Sequence, residues 1–487
     1  MKHLLFLATG LAFAAFASAQ ETTGVNTTNT SGAVIKGKAP VAKSVLRVKV
    51  PKPSHFKLSN GVDVFALEDH RLPAIRLTLE IRAGQLYETK PGVAAATAAL
   101  LTAGTPTRTA EQILADTEDR GSSIGAGSGL DSATVGMACL KESFVPTLDI
   151  LRDCLLHSNF PETELARFRR SSRGGSAQSR TNPTGIASGL ANRVFYGATP
   201  YGRSVPSPAE LAKVTPADIA AFHGLYYRPN GAVLGVAGDF KLKDLRRDLE
   251  AALKDWTAGK SSKVPPAAVI SSKTKPQVYL VDRPNSAQTV VYFGSLAVPA
   301  SDTDFIALTV ANRILGGGSS GRLFQNIRER KGYTYGAYSN LASNRWPSLW
   351  AATASVRTEV TQPAIAEFYA EFARLRDQPV SADELHRAQR AIVGGFARTL
   401  ESSDEILSRT VELVRLGLPM DYWDKYPERV DAVTAEDVMR VARKYLDANG
   451  IQLVAVGDKS KIGDELKKFG GVEVVPAAKV DSYVSGG

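Results

Sequence analysis

The chain has 487 residues, of which 44% are hydrophobic and 22% charged, and its formal net charge is +10. This length exceeds what one hydrophobic core usually supports, so we expect two or more domains, and the composition excludes wholesale disorder. The basic residues are scattered apart from Arg167, Arg169, Arg170 and Arg173. That distribution suits solubility or attraction to acidic peptides better than binding to nucleic acid.

The first residues predict an export signal. Lys2 and His3 precede an apolar run, Leu4–Phe16, and the small residues Ala17–Ala19 form a cleavage site. The alternative is a membrane anchor, but this run is too short to cross a bilayer of about 30 Å, and no later segment is long enough. We therefore expect residues 1–19 to be a signal peptide, the protein to be periplasmic or secreted, and no membrane span.

The next segment, residues 20–45, is rich in Thr, Gly, Asn and Lys without periodicity, which predicts a flexible lead. The remaining chain contains an internal duplication. Val214–Asp218 opens a helix that is followed by Asn230-Gly231 and an apolar strand, and Val433–Asp437 opens the same series 219 residues later. In both copies a Thr precedes an acidic residue by three positions, the spacing of a helix capping box.

The duplication predicts two homologous domains in tandem, at 46–262 and 275–478, with a linker at 263–274 and a tail at 479–487. Short alternating strands are followed by amphipathic helices, and neighbouring strands form hairpin-like pairs. This pattern favours an α+β fold, in which each domain is a mainly antiparallel sheet with packed helices, over a doubly wound sheet.

Several short motifs follow one another in a fixed order along both halves. They are Asn60-Gly61, Ala83-Gly84, Gly92 before a helix that is expected to end at Gly104-Thr105, Pro200-Tyr201-Gly202, Tyr227-Arg228-Pro229-Asn230, Leu315–Gly318 and Arg322-Leu323. Together they resemble the M16 (insulinase and processing-peptidase) family over nearly the whole chain after the lead. The resemblance implies two tandem M16-type domains of the LuxS/MPP-like metallohydrolase fold.

The resemblance also locates a zinc site that this chain has lost. In active members the first helix carries His-x-x-Glu-His, in which histidines four residues apart ligate zinc while the Glu activates water. Here the corresponding residues are Ala95, Ala98 and Ala99, and the family's third ligand, a Glu, aligns with Gly175. The resemblance therefore implies no metal in this chain and zinc in a partner chain, as in M16B-like bacterial non-catalytic subunits.

Two further features agree with a metal-free chain. Arg169 and Arg173 lie one helical turn apart near Gly175 and are expected to repel a divalent cation. Surface or hydrogen-bonded positions are expected for the six histidines, because none has a partner at metal-site spacing; they are His3, His55, His70, His157, His223 and His386.

The second half keeps a pair of residues that matches the family's catalytic Arg/Tyr pair by spacing, Arg328 and Tyr335. The resemblance implies that both donate hydrogen bonds across the clamshell to the scissile carbonyl of a peptide bound to the partner. The alternative is that Arg328 pairs with a local carboxylate and that Tyr335 is an ordinary strand residue. Gly316, Gly317 and Gly318 precede the pair and are expected to bind substrate.

Peptides bound to M16 chains usually add to a sheet edge as an extra strand. The corresponding segment here is Ser123–Ser128, whose small and flexible residues weaken a strand. The Asn that is common in active members is replaced by Gly125. Peptide binding by this half is therefore expected to be weak.

Two functions remain open from the sequence. The first is the non-catalytic subunit of an M16B-type heterodimeric zinc peptidase, inactive alone and active only with a zinc-bearing chain. The second is a homodimeric peptide-binding or scaffold protein without catalysis. An unrelated chemistry has little support, because the sequence lacks a Gly-x-Ser-x-Gly motif, a P-loop and a Cys/His dyad. Cys139 and Cys154 are expected to be buried free thiols rather than a disulfide.

Overall fold

The computed structural model describes residues 48–203, 206–259, 273 and 275–483. The predicted signal peptide, lead and linker lie outside the described residues, apart from Lys273. The strands are β1 Ser54–Lys57, β2 Asp63–Glu68, β3 Ala74–Ile81, β4 Ser123–Ser128, β5 Ala133–Leu140, β6 Val233–Gly238, β7 Gln277–Asp282, β8 Gln288–Leu296, β9 Thr334–Leu341, β10 Leu349–Arg357, β11 Gln452–Gly457 and β12 Gly471–Val474.

Helices follow the strands in both halves of the chain. They are α1 Val93–Ala99, α2 Ala110–Glu118, α3 Phe144–His157, α4 Glu162–Thr181, α5 Pro183–Tyr196, α6 Pro208–Leu211, α7 Pro216–Tyr226, α8 Leu242–Leu253, α9 Phe305–Leu315, α10 Thr361–Asp377, α11 Ala382–Thr399, α12 Ser403–Leu416, α13 Tyr426–Asp431, α14 Ala435–Tyr445 and α15 Lys459–Leu466. A π-helical segment, Phe324–Arg330, precedes β9. No helix among the described residues is long and apolar enough to cross a membrane.

The strands form two six-stranded sheets with the same internal order. The first runs β1-β2-β6-β3-β5-β4 and the second β12-β7-β11-β8-β10-β9. In each sheet an early strand pairs in parallel with the late central strand, β2 with β6 and β7 with β11, while the remaining inner pairs are antiparallel. The outermost strands differ, because β1 is antiparallel to β2 whereas β12 is parallel to β7. The predicted tandem α+β fold is confirmed.

The predicted capping boxes are present in both halves. Thr215 Oγ1 accepts a hydrogen bond from the Asp218 backbone N–H at 3.2 Å, and Asp218 Oδ2 accepts one from the Thr215 backbone N–H at 2.9 Å. Thr434 and Asp437 repeat both bonds at 3.1 and 3.2 Å. These bonds satisfy N–H groups that a helix start leaves unpaired, so each box fixes where α7 and α14 begin.

The two halves pack together by exchanging one helix each. Helix α5 of the first half lies on β8 and β11 of the second sheet, and α12 of the second half lies on β2 and β6 of the first. Gly294 makes room for α5, since a Cβ there would lie 2.8 Å from Phe195 Cε2. At the matching contact Gly235 faces Val411 Cγ2 at 3.3 Å. A helix from the opposite half therefore packs against each sheet.

The ends of the described chain cross over in the same way. Val48 packs against the core of the second half, and Lys52 Nζ lies 3.2 Å from Asp424 Oδ2. At the other end Val480 and Tyr483 are buried in the core that contains the first sheet. The segment predicted as a tail thus begins within a packed 3-10 helix, Ala477–Ser482.

Candidate functional site

The helix that would carry a zinc motif is short. It was expected to extend to Gly104-Thr105, but α1 covers only Val93–Ala99, since its C-cap is Leu100. The carboxylate of Glu88 holds its start, because Glu88 Oε1 accepts hydrogen bonds from the backbone N–H groups of Gly92 and Ala94 at 3.1 and 3.0 Å. Burial raises the pKa of Glu88, while these two bonds oppose the rise.

The three motif positions on α1 offer only methyl groups. Ala95 is half-buried, Ala98 is buried and Ala99 is exposed. Helix α4 contacts α1 and carries Gly175, which is exposed and has no heavy atom within 4 Å of the position of a Cβ. Helices α1 and α4 are thus in contact, but the positions expected to ligate zinc carry no donor atoms. The part of the chain that the structure describes holds no group of three His, Cys, Asp or Glu side chains able to bind a metal. These residues do not fit a zinc ion.

Arg169 has partners on neighbouring elements. Its Nε donates to the Leu211 carbonyl at 3.3 Å, and its Nη1 donates to Glu162 Oε1 at 2.7 Å. These bonds tie α4 to the end of α6, and repulsion of a cation by Arg169 stays a prediction. Arg173 is exposed one turn further along α4.

The structure brings Arg328 and Tyr335 together. The Arg328 guanidinium carbon lies 5.2 Å from the centroid of the Tyr335 ring and 4.8 Å from that of Phe324, so the cation is held between two aromatic faces. Tyr335 is 88% exposed. Arg328 Nη1 also donates to Glu329 Oε1 at 2.9 Å, the local carboxylate that the sequence left open as an alternative partner. That pair is solvent-exposed and therefore weak, so Arg328 can exchange this partner for another acceptor.

Tyr335 owes its exposure to a β-bulge. On β10, Ala354 faces Ala337 and Val356 faces Thr334, so Tyr335 and Gly336 share one partner position on that strand. Thr334 Oγ1 accepts a hydrogen bond from the Gly336 N–H at 3.2 Å and holds the bulge. A bulge turns a side chain away from the regular alternation of a strand, which here aims the phenol outward.

The three glycines before the pair are tightly packed. A Cβ at Gly316 would lie 2.6 Å from the Ser339 backbone nitrogen, one at Gly317 would lie 2.9 Å from Arg313 Cα, and one at Gly318 would lie 2.5 Å from Arg313 Nη1. The Gly316 carbonyl accepts a hydrogen bond from the Ser339 N–H at 2.9 Å. Close packing against β9 and α9 is thus a sufficient reason for glycine here, and substrate binding by these residues stays a prediction.

The outer edges of the two sheets differ. Edge strand β9 is partly covered, because the Gly316 carbonyl occupies the Ser339 N–H. Edge strand β4 pairs with β5 alone within the described residues. No heavy atom lies within 4 Å of where a Cβ would stand at Gly125 or Gly127. The segment Ser123–Ser128 forms a complete strand despite its glycines, so the first half presents an open edge.

The two cysteines are separate buried thiols. Burial raises the pKa of Cys139 to about 11 and that of Cys154 to about 12. Thiols with such raised pKa values are poor nucleophiles at neutral pH, so neither contributes a reactive group.

Fold and site together define a metallohydrolase-type tandem α+β protein whose ligand positions carry Ala and Gly. Residues 64–209 match the family model described as insulinase (Peptidase family M16), and residues 213–392 match that of the peptidase M16 inactive domain. The chain belongs to the M16 peptidase family.

Similar proteins include bacterial relatives and solved structures. A Bacillus subtilis (strain 168) protein named "Uncharacterized zinc protease YmxG" is 23% identical over 396 residues, covering 80% of this chain and 94% of its own length. The "Non-peptidase homolog YmxG" of Helicobacter pylori is 21% identical over 409 residues, covering 82% and 93%. The crystal structure of a peptidase M16 inactive domain from Pseudomonas fluorescens superposes with a TM-score of 0.76 at 24% identity, covering 84% of this chain and 98% of that one.

A chain of complex III2 from Candida albicans superposes with a TM-score of 0.70 at 14% identity, covering 86% of this chain and 100% of that one. At these identities the superpositions show a shared fold. The fold alone hosts more than one function, so the function of this chain has to be argued from its site.

Proposed function

We propose that this chain is the non-catalytic subunit of an M16B-type heterodimeric zinc peptidase, exported to the periplasm or secreted, that supplies Arg328, Tyr335 and half of a peptide chamber to a zinc-bearing M16 chain. The observation that carries the proposal is the contrast between the two halves. Every ligand position of the first half is Ala or Gly, while the second half holds two hydrogen-bond donors in contact with each other, the exposed Tyr335 and the half-buried Arg328.

The proposed chemistry of the pair is transition-state stabilisation. A guanidinium and a phenol can both donate to a carbonyl oxygen, and their donation strengthens as that oxygen acquires negative charge during attack on the peptide bond. The bulge at Tyr335 and the aromatic faces around Arg328 fix both donors before substrate arrives. The partner chain would supply the zinc and the base, which Ala95, Ala98, Ala99 and Gly175 cannot.

A second candidate is a homodimeric peptide-binding or scaffold protein without catalysis. The pairing of Arg328 with Glu329 favours it, because a guanidinium with its own carboxylate needs no substrate. The open edge of β4 offers such a protein a place for an extended peptide.

Reconstitution distinguishes the two candidates. The chain alone should not cleave peptides, and a mixture with a zinc-bearing M16 chain from the same organism should cleave them in a manner that depends on Arg328. A scaffold protein would give the same cleavage rate with Arg328→Ala as with the native residue. Cleavage by this chain alone after rigorous metal removal would refute both candidates.

A further inference from the structure

A buried amide lies two residues before Arg328. Asn326 is 5% exposed, and its Nδ2 donates to two carboxylates of α10, to Glu367 Oε2 at 2.8 Å and to Glu371 Oε1 at 2.9 Å. Both hydrogens of the amide group are thereby used on charged acceptors, which makes these bonds stronger than neutral ones. The π-helical segment is therefore fastened to α10 at Asn326.

The same two carboxylates hold the cations on the other side of Arg328. Lys331 Nζ lies 2.7 Å from Glu367 Oε1, and Arg330 Nη2 lies 3.6 Å from Glu371 Oε1. Arg374 adds a further contact to Glu371 at 3.3 Å. Glu371 is only 3% exposed, and its burial raises its pKa even though these cations oppose the rise. A buried carboxylate needs such partners, so the fold requires Arg330 and Asn326 to face α10.

Arg328 faces the opposite way as a consequence. Its neighbours Asn326 and Arg330 point to α10, while its own guanidinium lies between the rings of Phe324 and Tyr335. The π-helical winding of Phe324–Arg330 supports this arrangement, since a π-turn shifts side chains out of the ordinary α-helical register and is frequent at functional sites.

We infer that Asn326 is a positioning residue for Arg328, with Glu367 and Glu371 as its anchors. The inference rests on the proposed function, because it concerns how the chain presents Arg328 to a substrate held by the partner. Asparagine suits this place because its amide is a neutral double donor between two carboxylates. An aspartate of the same shape would put a third carboxylate against them and push the π-helical segment away from α10.

The test is a double-mutant cycle on the reconstituted pair, with steady-state peptide cleavage as the readout. Asn326→Asp should lower kcat by a factor on the order of 10 to 10², because small misplacements of a catalytic group cost about that much. KM should change by less than about twofold, since the lost interaction belongs to the transition state. In the Arg328→Ala background, Asn326→Asp should cause no further loss, because residues that act as one unit are not additive.

The matched control is Gln389→Glu in α11. Gln389 is also a buried amide, 2% exposed, and its Nε2 donates to the carbonyls of Val430, Asp431 and Val433, away from the π-helical segment. It controls for destabilisation by a buried amide-to-carboxylate change. If it lowers kcat as much as Asn326→Asp does, or if Asn326→Asp costs the same factor with and without Arg328, the positioning role is excluded.

A measurement on the chain alone keeps the inference independent of the partner. Hydrogen exchange should accelerate in residues 324–335 of Asn326→Asp and stay unchanged there in Gln389→Glu, and Asn326→Ala gives a milder variant if the Asp variant does not fold. Unchanged exchange in residues 324–335 in both Asn326 variants would overturn the inference. Native turnover by Arg328→Ala would instead refute the proposed function, so the two failures are distinguishable.

Discussion

The two halves of this protein share the order of their inner strands and differ in the side chains around α1 and around the segment before β9. In the first half, α1 and α4 are in contact, but Ala95, Ala99 and Gly175 occupy the positions that the resemblance assigns to zinc ligands, and Ala98 occupies that of the base. In the second half, the segment before β9 is held by buried hydrogen bonds to α10. The proposed function explains this contrast if the second half presents Arg328 and Tyr335 to a substrate while the partner chain supplies the zinc.

The outer edge strands of the two sheets also differ. The outer strand of the first sheet, β4, is glycine-rich and open, while the outer strand of the second, β9, is covered at Ser339 and bulged at Tyr335. The unpaired edge of β4 leaves room for an added strand, whereas the bulge in β9 fixes the direction of Tyr335.

The largest effect on turnover is expected when a proposed hydrogen-bond donor of the second half, Arg328 or Tyr335, is removed. In the reconstituted heterodimer, Arg328→Ala or Tyr335→Phe should lower turnover by a factor of about 10² to 10³, which is the usual cost of one preorganised oxyanion donor. Size exclusion should show an intact complex. Arg398→Ala, which removes an exposed arginine of α11, is the control and should turn over like the native chain. Native rates in both site variants would leave the chain a scaffold.

The second prediction concerns a zinc site rebuilt by substitution in the first half. The native chain should purify without stoichiometric zinc, and Ala95→His with Ala99→His should bind it weakly, because two nitrogens leave the coordination sphere incomplete. Adding Gly175→Glu should tighten binding roughly tenfold or more, since the helices still meet and the space beside Gly175 is open. Elemental analysis and competition with a chelator measure both steps. One tightly held zinc in the native chain would contradict the prediction.

The third prediction concerns an ion-pair cluster in the second half. Gly92 is the N-cap of α1, whereas Asp304 is the N-cap of the matching helix α9 and accepts hydrogen bonds from Arg440 Nη1 at 2.6 Å, Lys444 Nζ at 2.9 Å and the Tyr445 hydroxyl at 2.8 Å. Burial raises the pKa of Asp304, but these bonds outweigh it and lower the pKa to about 2. Asp304→Asn should therefore destabilise the protein by about 1–3 kcal/mol at neutral pH.

The sign of the pH dependence follows from that lowered pKa. The stabilisation by Asp304 is fully present above the ordinary aspartate pKa of about 3.9 and is lost as the pH falls toward 2. The difference in unfolding free energy between native chain and Asp304→Asn, measured by urea titration, should be constant from pH 5 to 7 and shrink below about pH 4. A difference that grows on acidification would show that another group dominates.

The smallest effects compare glycines on the two edges. Gly125→Ala should stabilise the chain by about 0.5 kcal/mol, because the new methyl group meets nothing within 4 Å and glycine is entropically costly in a strand. Gly316→Ala should destabilise it by about 1–3 kcal/mol, because the methyl group would lie 2.6 Å from the Ser339 nitrogen. Urea titration of both variants gives the two signs. Equal signs would show that the two edges are packed alike.

Much of the architecture followed from patterns local in sequence. The capping boxes at Thr215 and Thr434 are each contained within four residues, and their 219-residue separation was enough to predict two copies of one fold. The replacement of the zinc motif by Ala95 and Ala99 was predicted from the family resemblance, which needs no tertiary information because the motif spans five consecutive residues. The length of α1 was overestimated, since the helix ends at Ala99 with Leu100 as its C-cap, five residues before Gly104-Thr105.

The surroundings of Arg328 depended on contacts between distant parts of the chain. Asn326 meets Glu367 and Glu371 across 41 and 45 residues, and no spacing rule links an amide before an arginine to carboxylates on a later helix. The carbonyl partner of Arg169 could not be predicted for the same reason, because Leu211 lies 42 residues away. The sequence by itself determined the fold class and its duplication, because hydrophobic periodicity and capping are local, and its resemblance to the family predicted the absence of zinc ligands. Only the tertiary structure decided which side chains face one another, including the helix exchange of α5 and α12, because packing joins residues that the chain keeps far apart.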